Sequence, residues 1–172
     1  MEKRSRRSIR LKNYDYSQSG YYFVTVCAQA RECLFGDISS GKVILNEQGK
    51  IILNCWHNLP NHYNNIATDY FAIMPNHMHM IIAVGAGLSR LNTGRENLAP
   101  TLGRIVAYFK YITTKQINEL QNKGIKKIWQ RNYYEHIIRD NSDLTHIREY
   151  IANNPGKWQE DEYYVEQTKV KY

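Results

Sequence analysis

Three signatures that would place a chain quickly are missing from these 172 residues: a disulfide framework, a metal knuckle and a membrane span. There are only three cysteines, Cys27, Cys33 and Cys55, unevenly spaced and without a Cys-x-x-Cys pair. An odd, patternless set argues against a disulfide scaffold or a zinc knuckle and for reduced thiols in a cytoplasm. No stretch reaches the roughly 18 apolar residues that a spanning helix needs. The basic residues 1–12 are not followed by an apolar core segment, so they do not read as a secretory signal. No internal repeat or low-complexity tract appears. The length suits one domain with its own core.

Acidic residues are also scarce in two places. Residues 1–12 carry six basic side chains against Glu2, and residues 101–131 carry seven against Glu119, in a chain of net charge +7. Two concentrated basic segments on a near-neutral body point to a polyanionic partner, nucleic acid before others. Arg4, Arg6, Arg7 and Arg10 in the first segment, and Arg104, Lys110, Lys115 and Arg131 in the second, are the candidate phosphate contacts. Such contacts set affinity without reading sequence. The 14 tyrosines suit stacking on unpaired bases, though tyrosine is equally a core and strand residue.

Periodicity gives an order of elements. Residues 20–29 read as a strand, 34–36 with 42–45 as a short hairpin, and 46–59 as a helix that Pro60 stops. Residues 67–74 and 77–84 read as strands separated by the break at Pro75-Asn76. The Gly-rich stretch 85–100 reads as a surface loop. A long helix, capped by Thr101 and ended by Gly124, carries the apolar stripe Leu102, Ile105, Val106, Phe109 and Ile112. Residues 132–139 form a last strand, and a helix capped by Asn141 or Ser142 runs to Pro155. The order β-α-β-β-α-β plus a C-terminal helix is the ferredoxin-like α+β plan, an antiparallel sheet with helices on one face. Residues 1–16 are expected as a basic arm, 17–158 as one domain and 159–172 as a tail.

Two polar constellations carry chemistry. Strand alternation puts His77 and His79 on one face and Met78 on the other, so two imidazoles can grip one cation. The same spacing also fits two surface histidines on a half-exposed strand. On the last helix, His146, Tyr150 and Asn154 are four apart and form one stripe. A phenol titrates near pH 10 and needs help to attack phosphorus. His77, His79 and the amide oxygen of Asn154 make an N₂O set suited to Mn²⁺ or Mg²⁺ with open positions. Attack by Tyr150 leaves a 5′-phosphotyrosine and a free 3′-hydroxyl, a reversible step. Glu135 and His136, on opposite faces of the last strand, are possible supporting residues.

Four segments in order, NYDYSQSGYYFVTVCAQ, MPNHMHMIIAV, WQRNYYEHIIRD and REYIANNPGKW, resemble the REP-associated tyrosine transposases, a branch of the HUH single-strand DNA transposases. The resemblance runs from about Tyr14 to Trp158. It implies that His77 and His79 are the HUH pair, that Tyr150 is the nucleophile and that Asn154, where insertion-sequence relatives usually carry Gln, is the third ligand. It further implies a divalent metal and a single-stranded DNA substrate with a hairpin, handled by a monomer or homodimer. Rival readings are a non-catalytic single-strand binder stacking bases on Tyr21 and Tyr22, a relaxase or replication-initiator nickase, and a metal-dependent hydrolase that uses water.

Overall fold

The computed structural model describes residues 19–85, 100–122 and 124–166. The candidate contacts Arg4, Arg6, Arg7 and Arg10 and nearly all of the expected 85–100 loop lie outside them. The elements are β1 (Gly20–Cys27), β2 (Gly36–Ser39), β3 (Lys42–Leu45), α1 (Glu47–His62), β4 (Ile66–Ile73), β5 (His77–Val84), α2 (Leu102–Gln121), β6 (Tyr134–Ile138) and α3 (Asn141–Asn153), followed by a 3₁₀ helix, Asn154–Glu160. Strands β4, β5, β1 and β6 form one antiparallel sheet in that order, with β2–β3 as a separate hairpin. Leaving the small hairpin aside, this is the ferredoxin-like α+β architecture. No helix among the described residues is long and apolar enough to cross a membrane.

Strand alternation sorts the sheet into two faces. Tyr22, Val24 and Val26 of β1 and Met78, Met80 and Ile82 of β5 meet Ile52, Trp56 and Leu59 of α1 and Leu102, Ile105 and Phe109 of α2 in the main core. The opposite face is not bare. Phe23 and Ile81 meet Leu144 and Ile151 of α3 and Trp158 beyond it in a smaller core. Every residue of β5 is therefore buried, including both histidines. A sheet covered on both sides makes its central strand apolar throughout except where chemistry requires otherwise.

Several local signals resolve differently from their sequence reading. Helix α1 passes through Pro60 to His62. Proline so near the helix end gives up one backbone bond, and Tyr63 N still reaches Leu59 O at 3.2 Å. The N-cap of α1 is Asn46, whose Oδ1 accepts from Gly49 N at 3.0 Å. A side chain at Gly49 would overlap the Phe35 carbonyl oxygen, which fixes the close approach of α1 to the hairpin. Helix α2 ends on Asn122 in the left-handed conformation, two residues before the expected stop at Gly124. Thr101 precedes α2 without a side-chain capping bond. Helix α3 is capped by Asp140, whose Oδ1 accepts from Asp143 N at 2.9 Å, and not by Asn141 or Ser142.

The main core depends on its aromatic members. Trp56 is fully buried, with Phe71 at 5.7 Å and Phe109 at 6.2 Å between ring centroids. Trp56→Ala is expected to cost about 3–5 kcal/mol in urea unfolding. A loss below about 1 kcal/mol would mean that α1 does not anchor this core.

Candidate active site

The turn Met74-Pro75-Asn76-His77 closes the β4–β5 hairpin, with Met74 N donating to His77 O at 2.8 Å. It also aims Asn76 inward. Asn76 Nδ2 donates to the backbone carbonyls of Arg31 (3.2 Å) and Tyr163 (2.8 Å), so its Oδ1 is left to accept from His77 Nδ1 at 2.8 Å. Those two donations fix the amide orientation and with it the His77 tautomer: Nδ1 carries the proton and Nε2 is bare.

The bare Nε2 of His77 faces Nε2 of His79 at 3.0 Å. On the other side of the His79 ring, Nδ1 lies 2.8 Å from Thr25 Oγ1. A threonine hydroxyl donates or accepts, so it accommodates either His79 tautomer. With a proton on Nε2, His79 donates to His77; with the proton on Nδ1, two lone pairs point at each other. Burial holds both rings well below the usual imidazole range, each at about 3, with Arg31 adding to the effect on His77 and His77 itself to that on His79. Both are therefore neutral at physiological pH, the form that binds metal. Ligands about 2.1 Å from a hard divalent ion and at right angles to one another are about 3.0 Å apart, which is the separation found here.

Tyr150 arrives from α3 in the same chain. Its hydroxyl lies 3.3 Å from His79 Nε2, and its ring meets Phe23 edge-on at 6.0 Å. The side chain remains 43% exposed, so a substrate can reach it. Burial, then the charges of Asp161 and Glu162, push the phenol up to about 12.

Asn154, one turn after Tyr150, is buried at the start of the 3₁₀ helix. Its Nδ2 donates to Asp161 Oδ2 at 2.7 Å, while its Oδ1 is buried without a partner. Asp161 Oδ2 lies 3.9 Å from His77 Nε2, and His77, His79 and Asp161 form a compact group of potential ligand atoms within 4.8 Å. The residues after Trp158, expected as a tail, thus return across the site. Tyr163 N donates to Asp161 Oδ1 at 2.6 Å, and the Tyr163 ring covers His77 at 4.7 Å. Two bare or potentially bare imidazole nitrogens, a carboxylate and an orphaned amide oxygen fit a divalent cation.

Of the other predicted site residues, His146 lines the same cleft of about 550 Å³ as Tyr150. His136 bonds Asp143 of α3 at 2.9 Å and serves that helix, not the imidazole pair. Glu135 pairs in register with Val24 and so faces the α1–α2 side, away from the site. Lys110 donates to the carbonyls of Gln130 (2.5 Å), Arg131 (3.1 Å) and Asn132 (3.5 Å), which makes it a clamp on that segment and not a free phosphate contact. Lys115 pairs with Glu119 at 3.9 Å, and Arg104 and Arg131 are exposed. Thr25, Asn76, Asp161 and Tyr163 were missed. Thr25 alone left a signal, a polar residue interrupting an apolar strand on the face of the histidines.

Helix α3 buries only Leu144 and Ile151, a thin apolar attachment. Two polar ties supplement it, one to each edge of the sheet. His136 of β6 holds Asp143, whose carboxyl is lowered chiefly by that hydrogen bond. Arg148 grips both oxygens of Asp69 at 3.2 and 2.5 Å. Asp69 sits where β4 bulges by one residue against β5, between Thr68 and Phe71, and the bulge re-aims it toward α3. Arg148→Leu is expected to speed amide hydrogen exchange in α3 several-fold and leave α2 unchanged. Unchanged α3 exchange would show that apolar packing alone holds the helix.

No family model matches the chain. It is 41% identical over 171 residues to an uncharacterized protein of Haemophilus influenzae, covering 94% of each chain. Over 154 residues it is 28% identical to a second Haemophilus influenzae protein, provisionally named a REP-associated tyrosine transposase, covering 86% of this chain and 77% of the other. A solved structure of a REP-associated tyrosine transposase bound to a REP hairpin shares the fold, with a TM-score of 0.58 at 21% identity, over 86% of this chain and 73% of that one. The fold is that of the solved transposase, and in this chain it sets a buried histidine pair beside the helix that carries Tyr150. Over most of its length the chain is thus similar to proteins named as REP-associated tyrosine transposases.

Proposed function

We propose that this protein cleaves and rejoins single-stranded DNA next to a hairpin, using Tyr150 as nucleophile and a divalent ion between His77 and His79. The observation that carries the reading is the Tyr150 hydroxyl 3.3 Å from an imidazole nitrogen that itself faces a second one at 3.0 Å. Phosphoryl transfer needs a nucleophile and a charge-offsetting centre on one phosphate, and these groups supply both positions. Hairpin DNA as substrate is drawn from the relative solved with a REP hairpin.

The roles follow from the contacts. Nε2 of His77 and Nε2 of His79 would hold the ion, with Asn76 and Thr25 bonded to the opposite ring nitrogens and orienting both rings. The Asn154–Asp161 pair would supply the oxygen ligand, through the carboxylate of Asp161 or the unpartnered Oδ1 of Asn154. A bound Mn²⁺ or Mg²⁺ would supply Lewis-acid charge to offset the phosphate's negative charge. Tyr150 Oη attacks phosphorus, the bond from phosphorus to the 3′ oxygen breaks, and the proton lost by the phenol ends on that oxygen. The product is a 5′-phosphotyrosine and a free 3′-hydroxyl, and the reverse step joins strands. His146, on the same cleft wall, is placed to touch the DNA near the reacting phosphate.

Incubated with single-stranded hairpin DNA and Mn²⁺, the wild-type protein is expected to give a covalent adduct on a denaturing gel, and Tyr150→Phe none. An equal adduct from Tyr150→Phe, or none from wild type, contradicts the mechanism. The phenol titrates near 12 while both imidazoles stay neutral above about 3. The phenolate fraction of Tyr150 therefore grows with pH, and the cleavage rate should rise between pH 6 and 8. A rate that falls with rising pH would assign the limiting proton elsewhere. Asp161→Ala should raise the Mn²⁺ concentration for half-maximal adduct about tenfold or more. No change would leave Asn154 as the sole oxygen donor.

A further inference from the structure

The cleft at Tyr150 is badly suited to gathering a polyanion. Glu149, Glu160, Asp161 and Glu162 line it against a single lysine, Lys157. An ion offsets part of that charge at the reacting phosphate, but the flanking phosphates meet carboxylates. Ground-state affinity for DNA must therefore come from another surface.

A second hollow, of about 400 Å³, opens between α2 and residues 127–133, the segment leading into β6. Its charged lining is wholly basic: Lys110, Lys127 and Arg131. Lys110 is spent on backbone carbonyls, but Lys127 and Arg131 are exposed and, among the described residues, have no carboxylate within ion-pair reach. Tyr111, 63% exposed, stands on one wall and Tyr133 on the other. Gly103 and Ala107 keep the α2 side of the floor low enough for a flat ring. The opposite wall is rigid. Trp129 donates through Nε1 to Thr113 Oγ1 at 2.8 Å, and residue 129 bridges to Ala28.

The position of the hollow relates it to the site. Gln130 N donates to Cys27 O, and Cys27 pairs across to His77. Two strand spacings, about 10 Å, thus separate this segment from the histidine strand. The two openings lie at the same end of the sheet on opposite faces. Tyr134, 49% exposed and 6.1 Å from Phe23, stands on the Tyr150 face of the β6 edge.

We infer that this hollow binds an unpaired nucleotide of the DNA strand near the cleavage position, with the base stacked on Tyr111 and the phosphate held by Lys127 and Arg131. The choice of DNA rests on the strand-transfer reading above; the binding itself needs neither metal nor Tyr150. A single strand fits better than a duplex, because the slot offers an aromatic face that already stacked bases cannot use.

The test is fluorescence anisotropy with a labelled 12-nucleotide oligothymidylate and a blunt 12-base-pair duplex, in EDTA, on a Tyr150→Phe background. Tyr111→Ala should weaken single-strand binding about tenfold at unchanged salt slope, since stacking releases no counterions. Lys127→Gln with Arg131→Gln should lower the slope of log affinity against log salt by about 1.4. Thermal midpoints equal to the parent's establish that these surface variants fold. Tyr111→Ala weakening duplex as much as single strand overturns the proposal, as does parental binding by either variant. Adduct formation is measured separately, so either result can fail alone.

Discussion

Two imidazole nitrogens pointed at each other inside a protein constrain everything built around them. His77 and His79 are buried neutral, and the Nε2 of His77 is stripped of its proton by the bond that Asn76 accepts on the other side of the ring. In a low-dielectric interior each ring nitrogen needs a partner, and here every partner is fixed: His79 for His77 on one side, Asn76 and Thr25 on the others. The supporting groups share this logic. Asn76 is itself locked by two backbone carbonyls, Thr25 serves either tautomer of His79, and Asn154 aims the Asp161 carboxylate at His77 while keeping an unused oxygen of its own.

The two faces of the sheet divide the work. Helices α1 and α2 bury most of the large apolar side chains of the main core. Helix α3 covers the other face with few apolar residues and leans on Asp69 and His136 at the two sheet edges. Elements that carry reacting groups are often drawn from the less stable part of a fold, and the thin attachment of α3 fits that pattern. Charge is divided as well. The cleft of Tyr150 is acidic and suited to a cation, whereas the charged lining of the hollow between α2 and the approach to β6 is basic.

Much of this was legible in the sequence, for identifiable reasons. Alternation placed His77 and His79 on one face, four-residue spacing placed His146 and Tyr150 on one cleft wall, and the order of periodic segments gave the ferredoxin-like plan. What escaped depended on contacts between distant segments. Asp161 and Tyr163 looked like part of a tail because nothing local shows that a 3₁₀ turn after Asn154 folds the chain back over His77. Lys110 read as a phosphate contact because its three carbonyl partners lie about 20 residues ahead in a segment without regular structure. Glu135 was drawn toward the site by proximity in sequence, although register with Val24 turns it to the opposite face. Pro60 ends no helix, since a proline in the last turn removes too little hydrogen bonding to matter.

The central claim is that the facing imidazoles form a divalent-cation site within reach of Tyr150. Anomalous diffraction from crystals soaked in Mn²⁺ tests it most directly. A single strong peak between the Nε2 atoms of His77 and His79, about 2.1 Å from each and on the Tyr150 side, is the predicted result. A peak elsewhere, or none with the two rings still hydrogen-bonded to each other, would contradict the account.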